Sequence, residues 1–293
     1  MNKARRIFDL GWRAIEGSTI ALWSSRRICR GSRHKIDGEV IVSLTSYPPC
    51  FPTLHLSLRT LLNQSISPDR IVLWIAHRDL ALLPPKVLAL QERGIEIRPC
   101  ADLRSFKKIV PAVEQFPESY IVTADDDLYY GRDWLEMLLS SVGTGTSDVV
   151  ARIVHRPSFE EERMRSFTAW PLNVIDDQAH APSSDLFCGS GAGALFPPGS
   201  LHPDLVRRDL FERLTPNCDD SWITWMIHRQ GTKIRRAKGP RRNLKAWLRT
   251  VRGSLAVDNF TAAGEGVQMD RYIANLSEHF GPLHRLKDVC SNR

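Results

Sequence analysis

With 293 residues, 42% of them hydrophobic, the chain can bury a substantial core and is too apolar for a disordered tail. Its 40 Lys and Arg exceed 33 Asp and Glu, a net charge of +7, which points to an anionic partner without separating nucleic acid, membrane surface and phosphorylated small molecule. Six scattered cysteines with no C-x-x-C pair exclude a zinc ribbon or a disulfide framework, and there is neither a run of about 18 apolar residues nor a signal-peptide pattern, so the expectation is a cytosolic protein.

In chain order, residues 1–36 form a basic amphipathic segment, with Arg5, Arg6, Arg13, Arg26 and Arg27 interleaved with Ile7, Phe8, Trp12, Ile15 and Trp23. That mixture suits a helix lying peripherally on an anionic membrane face, and equally a solvated basic helix packed on the domain. After Gly38, short apolar runs alternate with helical stretches. "EVIVSLTSY" (39–47), "RIVLWIA" (70–76), "IEIRPC" (95–100) and "SYIVTADDD" (119–127) read as strands. Residues 53–64, 84–94 and 106–116 read as helices. The alternation predicts βαβ units and a parallel sheet, whose ligands bind beyond the carboxyl ends of the strands.

From 148 the signals mix. "DVVARIVHR" (148–156), "GALFPP" (193–198) and "TKIRRAK" (232–238) suit strands, and "CDDSWITWMIHRQG" (218–231) suits a helix stopped at Gly231. No linker separates the halves, so the expectation is one main α/β domain, 37–240, with a helical extension at 241–293. A second basic cluster at 233–252 reads as a solvated face.

The stretch "TADDDLYY" sets three carboxylates at a strand end. Like charges at close range disfavour ionisation, and a divalent cation relieves that, magnesium and manganese commonly taking one or two protein carboxylates with water and phosphate in the other positions. In an extended strand Asp125 and Asp127 would face one way and Asp126 the other. Asp-rich turns after strands also arise simply because aspartate initiates turns and caps helices.

In this order, "VSLTSYPP", "LRTLLNQSISPDRIVLWIA", "KKIVPAVEQFPESYIVTADDDLYY" and "CDDSWITWM" resemble bacterial glycosyltransferases of the GT-A fold, similar to family 2, over about residues 39–235. The resemblance implies a Rossmann-like, mostly parallel mixed sheet flanked by helices and a nucleoside-diphospho-sugar donor. It implies that Thr45 to Tyr47 and Asp102 hold the base. Asp125, Asp126 and Asp127 match the D-x-D element, the first serving the ribose and the last, with Asp125, a Mn2+ or Mg2+ ion bridging the diphosphate. Lys108 matches a donor contact, against the alternative of a surface helix lysine. The chain departs from the pattern near Cys50, where an arginine would be expected. Asp219 and Asp220 match the acidic pair facing the anomeric carbon, with Asp220 favoured as base and Asp219 second, against an ordinary helix N-cap. Direct attack would invert the anomeric centre.

"CGSGAGALFPPGS" (188–200) is no dinucleotide fingerprint, because Pro197 and Pro198 forbid the helix that would receive a pyrophosphate. Its Gly191 and Gly193 suit close approach of an acceptor sugar or tight packing, and Trp170 suits stacking on a sugar face or the core. His279 and His284 are candidates for a late metal contact, and no histidine pattern of a zinc hydrolase appears. The expected acceptor is a polysaccharide or glycolipid, as in lipopolysaccharide assembly, at the inner membrane face. Nucleic acid is not expected, since the basic clusters lack stacking platforms. The competing functions are a sugar-nucleotide nucleotidyltransferase and a non-catalytic carbohydrate-binding or scaffold protein.

Overall fold

The computed structural model describes residues 28–29, 31–143, 147–161, 163–239, 245–247 and 265–283. Most of the basic N-terminal segment, much of the C-terminal extension and His284 therefore lie outside the described residues.

The strands are buried on both faces, as their near-continuous apolar runs require. β1 (Val40–Thr45) sends Val40, Val42 and Leu44 into one core and Ile41 into the other. β2 (Arg70–Ala76) divides Ile71, Leu73 and Ile75 from Val72 and Trp74 in the same way, because successive strand side chains point to opposite faces. β3 (Ile95–Cys100), β4 (Tyr120–Ala124), β5 (Val149–His155), β6 (Phe187–Phe196) and β7 (Ile234–Arg236) complete a sheet of order β7-β5-β6-β4-β1-β2-β3. All pairings are parallel except those of β6, which runs antiparallel to both β4 and β5. The mostly parallel mixed sheet flanked by helices is the architecture expected from the sequence.

One face is covered by α1 (Phe51–Leu62), through Phe51, Leu54, Leu58 and Leu61, and by α3 (Trp134–Leu139), through Trp134, Leu135 and Leu138. That spacing puts the apolar side chains on one stripe of each helix, and each fully buried side chain contributes roughly 1.5–3 kcal/mol. The other face carries α2 (Val110–Gln115), α4 (Arg208–Leu214), α5 (Asp219–Arg229) and α6 (Glu265–Phe280). α5 is buried nearly all round, because it is packed between β6 and α6. It stops where expected, with Gly231 at φ 78 just beyond its end. Among the described residues no helix is long and apolar enough to cross a membrane.

β6 is longer than the six-residue strand expected, absorbing "CGSGAG" as well. A register shift between Gly189 and Ala194 accommodates it. Gly193, at φ 118, lies against Trp134, whose indole N–H donates to the Ala192 carbonyl at 2.9 Å; a Cβ at Gly193 would sit 2.4 Å from that nitrogen. Gly193 is therefore a glycine packed beneath an indole, the tight-packing reading of this stretch.

The chain winds outward from β1 to β2 and β3, then returns to place β4 on β1's other side. Leu44 and Ala124 are register partners at the carboxyl ends of β1 and β4. This reversal of strand order is where open α/β sheets leave a crevice for ligands.

Candidate active site

β4 ends at Ala124, and Asp125 to Asp127 form a turn. The alternation expected of an extended stretch therefore does not hold, and each aspartate is directed by its own partners. The Asp125 N–H donates to the Tyr130 hydroxyl at 2.6 Å, and that hydroxyl donates to the Gly191 carbonyl at 3.0 Å. Asp126 accepts from the Ser46 hydroxyl, so its carboxylate faces the end of β1. The main chain of the turn is gripped from behind: Ser57 of α1 donates to the Asp126 carbonyl at 2.7 Å, the Trp247 N–H donates to the Asp127 carbonyl at 2.9 Å, and the Trp247 indole donates to Ser57 at 2.7 Å. Residues 245 and 246 pair antiparallel with Leu128 and Tyr129. Trp247 was invisible to sequence reasoning because nothing local marks a residue 120 positions away as a partner of the turn.

Burial, with Asp125 alongside, pushes Asp126 up to about 6. Burial, Asp125 and Asp126 together push Asp127 up to about 7. Among the described residues neither Asp126 nor Asp127 has a basic side chain within ion-pair distance. Two carboxylates raised first by burial and then by neighbouring aspartates are a donor set that fits a cation. Among the described residues no three His, Cys, Asp or Glu side chains form a cage. The fit is therefore to a magnesium- or manganese-type ion shared with a phosphate ligand, since such ions keep few protein ligands.

Lys108 is no surface lysine. It is 5% exposed, and its ammonium lies 2.9 Å from Asp125 and 2.9 Å from Asp219. Burial would lower its pKa, but Asp125 and Asp219 outweigh burial and raise it well above the usual value. Asp219 and Asp220 occupy the first turn of α5, with Cys218 at the N-cap position, so neither is the cap that a sequence pattern suggests. Ser190 on β6 holds both: its hydroxyl lies 3.1 Å from Asp219 and 2.5 Å from Asp220, and its N–H donates to Asp220 at 2.8 Å. Thr123 of β4 in turn donates to the Ser190 carbonyl at 2.8 Å. Burial would push Asp219 up, yet the Lys108 ammonium holds it below the usual carboxylate range. Burial and the neighbouring Asp219 push Asp220 up to about 6.

On the other side of the crevice, Thr45 turns its hydroxyl to the Trp74 carbonyl at 2.8 Å, leaving its backbone at the rim. Tyr47 is pushed up to about 12, first by burial and then by Cys50, Asp126 and Asp127. Cys50, in the place where an arginine was expected, is buried beside Tyr47 and Asp126. Asp102, past the end of β3, accepts from Arg78 and from the Arg104 N–H at 3.2 Å, with Lys107 3.6 Å away. These partners override its burial and hold it below the usual range. Lys107, 2% exposed, also reaches the Ser46 carbonyl at 3.4 Å. Sequence reasoning passed over Arg78 and Lys107; Lys107 carries no local signal.

Trp170 is not brought to this crevice. It is 4% exposed, packs on Phe167 and Phe187 at 5.0 and 5.6 Å, and donates to the Arg165 carbonyl at 2.9 Å. The indole is packed in the core, the second of the two readings of Trp170. His279, on α6, lies edge-on to Phe280. Gly191 lies against the acidic turn. A Cβ there would sit 1.9 Å from the Asp125 carboxylate, so Gly191→Ala is expected to push Asp125 off Lys108. Any activity of the site should fall roughly tenfold or more, since about 1 Å of misplacement can cost that much, and the melting temperature should fall too, because a buried ammonium loses one of its two partners. Kinetics alongside a thermal melt check it.

No protein-family profile matches the chain, and no curated protein matches its sequence. Solved structures similar to it include two with TM-scores below 0.5. One is 4-diphosphocytidyl-2C-methyl-D-erythritol synthase, with a TM-score of 0.45 and 13% identity over 83% of this chain and 99% of that one. The other is GalNAc-T7 with UDP, GalNAc and Mn2+, with a TM-score of 0.43 and 11% identity over 70% of this chain and 43% of that one. The chain thus spans less than half the length of the second structure.

Proposed function

We propose that the protein is a cation-dependent glycosyltransferase of the GT-A type, moving a sugar from a nucleoside-diphospho-sugar to a hydroxyl of a polysaccharide or glycolipid acceptor. The observation that carries this reading is the shared ammonium of Lys108. By binding Asp125 and Asp219 at 2.9 Å each, it brings the acidic turn after β4 and the acidic pair of α5 to one crevice, and that crevice opens at the reversal of strand order.

In this reading the base and ribose lie between the ends of β1 and β3, beside Thr45, Tyr47 and Asp102, with Asp125 and Asp126 on the ribose side. Asp127 would hold Mn2+ or Mg2+, and the ion would supply the charge neutralisation that lets a diphosphate leave. The remaining work falls to the chain's own groups. Asp220, with Oδ1 fixed by two bonds from Ser190, takes the proton of the acceptor hydroxyl. The acceptor oxygen bonds to the anomeric carbon as the carbon–oxygen bond to the diphosphate breaks on the opposite side, inverting that centre. The basic segment at the N-terminus would keep the enzyme at an anionic membrane face where a glycolipid acceptor resides.

The nucleotidyltransferase alternative needs a basic, glycine-rich loop after the first strand to wrap a triphosphate. Here a single 3-10 turn, Pro48–Cys50, leads straight into α1, which has no acidic or basic residue in its first turn. A scaffold role leaves the repelling, partly desolvated Asp126 and Asp127 without purpose. Screening UDP-, GDP-, dTDP- and CMP-sugars for manganese-dependent cleavage or thermal stabilisation tests the reading. At least one should respond; silence from all of them with manganese present would move the assignment to a carbohydrate-binding or scaffold protein.

A further inference from the structure

Lys107 and Lys108 are adjacent and almost wholly buried, at 2% and 5% exposure, where long basic side chains are found only when paired. Their turn is built to hold them inward. Arg104, which opens the turn, has a left-handed φ of 54, an uncommon conformation for a residue with a side chain. The Lys108 carbonyl accepts from Ser43 of β1 at 2.6 Å, and that hydroxyl accepts from the Trp74 indole of β2 at 2.9 Å. The base of the Lys108 side chain is thus anchored to two central strands, and its ammonium is delivered between two carboxylates from different elements.

Five aspartates meet around this crevice, and the ammonium contacts two of them. Asp125 and Asp219 are ion-paired to it, whereas among the described residues Asp126, Asp127 and Asp220 have no basic side chain within ion-pair distance. Asp126 is turned to Ser46. A carboxylate already neutralised is a weaker cation ligand and a weaker proton acceptor than one that is not.

We propose that Lys108 is a built-in counter-cation that divides the work among these carboxylates: it claims Asp125 and Asp219, leaving Asp127 as the seat of the divalent cation and Asp220 as the proton acceptor. The division rests on the reading of this crevice as a sugar-transfer site. It makes Lys108 a positioning residue that contacts no reacting atom, moves Asp219 from second candidate base to anchor, and withdraws Asp125 from the cation.

The test is titration of Mn2+ alone into the full-length protein, read by loss of the free-ion electron paramagnetic resonance signal, for the parent, Lys108→Met and Lys108→Arg. Removing a positive charge a few ångströms from Asp127 and freeing Asp125 beside it should tighten Mn2+ binding in Lys108→Met roughly threefold or more. In the same variant kcat for sugar transfer should fall roughly 100-fold, with donor KM little changed. Lys108→Arg keeps the charge and should return Mn2+ affinity to the parent value with part of kcat. If Lys108→Met does not fold, Lys108→Met with Asp219→Asn removes the carboxylate left unpaired and should give the same tightening. Mn2+ binding that weakens or stays unchanged in the methionine variants overturns the division. Should the parent cleave no nucleoside-diphospho-sugar while Lys108→Met still tightens Mn2+, the sugar-transfer reading falls and the cation half of the division stands.

Discussion

Replacing Asp220 by asparagine is expected to lower kcat for sugar transfer by roughly 10³-fold, the middle of the range for losing a positioned general base, while the protein becomes more stable. The two effects have one origin. Burial and the neighbouring Asp219 push Asp220 up to about 6 from 3.8. A carboxyl group whose folded pKa lies above its unfolded value favours the fold when protonated, and that advantage disappears as pH rises through the folded value. Above pH 7 the parent therefore carries an ionised, desolvated carboxylate that disfavours the fold, and the amide does not. Asparagine can still accept both bonds from Ser190. A calorimetric melt at pH 7.5 should show a higher transition for Asp220→Asn, which separates lost chemistry from lost folding.

The same group sets the pH profile. Only ionised Asp220 can take the acceptor proton, so the parent's kcat should rise about tenfold per pH unit below about 6 and level off above it. A variant retaining more than about a tenth of the parent rate would show that the proton goes elsewhere.

Asp127→Asn is the second large effect. Asp127 is pushed up to about 7 by burial, Asp125 and Asp126, so a cation seated there relieves a repulsion the fold has already created. Asparagine removes the charge that holds the ion. Mn2+ binding and manganese-dependent donor cleavage should both fall roughly 10³-fold. Asp126→Asn is the contrast: its carboxylate faces Ser46, so its loss should lower turnover roughly tenfold at most, the effect of a slight misplacement rather than a lost ligand. Spin-resonance titration of the two variants side by side decides the matter, and unchanged Mn2+ affinity in Asp127→Asn would remove that residue from the cation site.

Much of this molecule follows from local pattern. The apolar runs of β1, β2 and β4, the stop of α5 at Gly231 and the place of the acidic triplet just past a strand all stand in the order of residues, because strand burial, helix termination and turn chemistry act over a few positions. Candidate residues of the site were legible for the same reason: repelling carboxylates in a row are conspicuous wherever they fold.

What only the tertiary structure decided are relations between distant segments. Lys108 reads as a donor contact or a surface helix lysine and Lys107 carries no local signal, yet both are buried because Asp102 and Asp125 with Asp219 come to them from three other elements. Trp170 reads as an aromatic platform or as core and is core, because β6 brings Phe187 against it. Gly193 reads as room for a sugar or as tight packing, and Trp134 lies against it. By itself the sequence determined the first four strands, their parallel order and the existence of two acidic clusters, since those depend on short-range sterics and hydrophobic period. That one ammonium joins the two clusters, and that a tryptophan from the C-terminal part braces the acidic turn, depends on contacts between residues far apart in the chain, which only the folded arrangement creates.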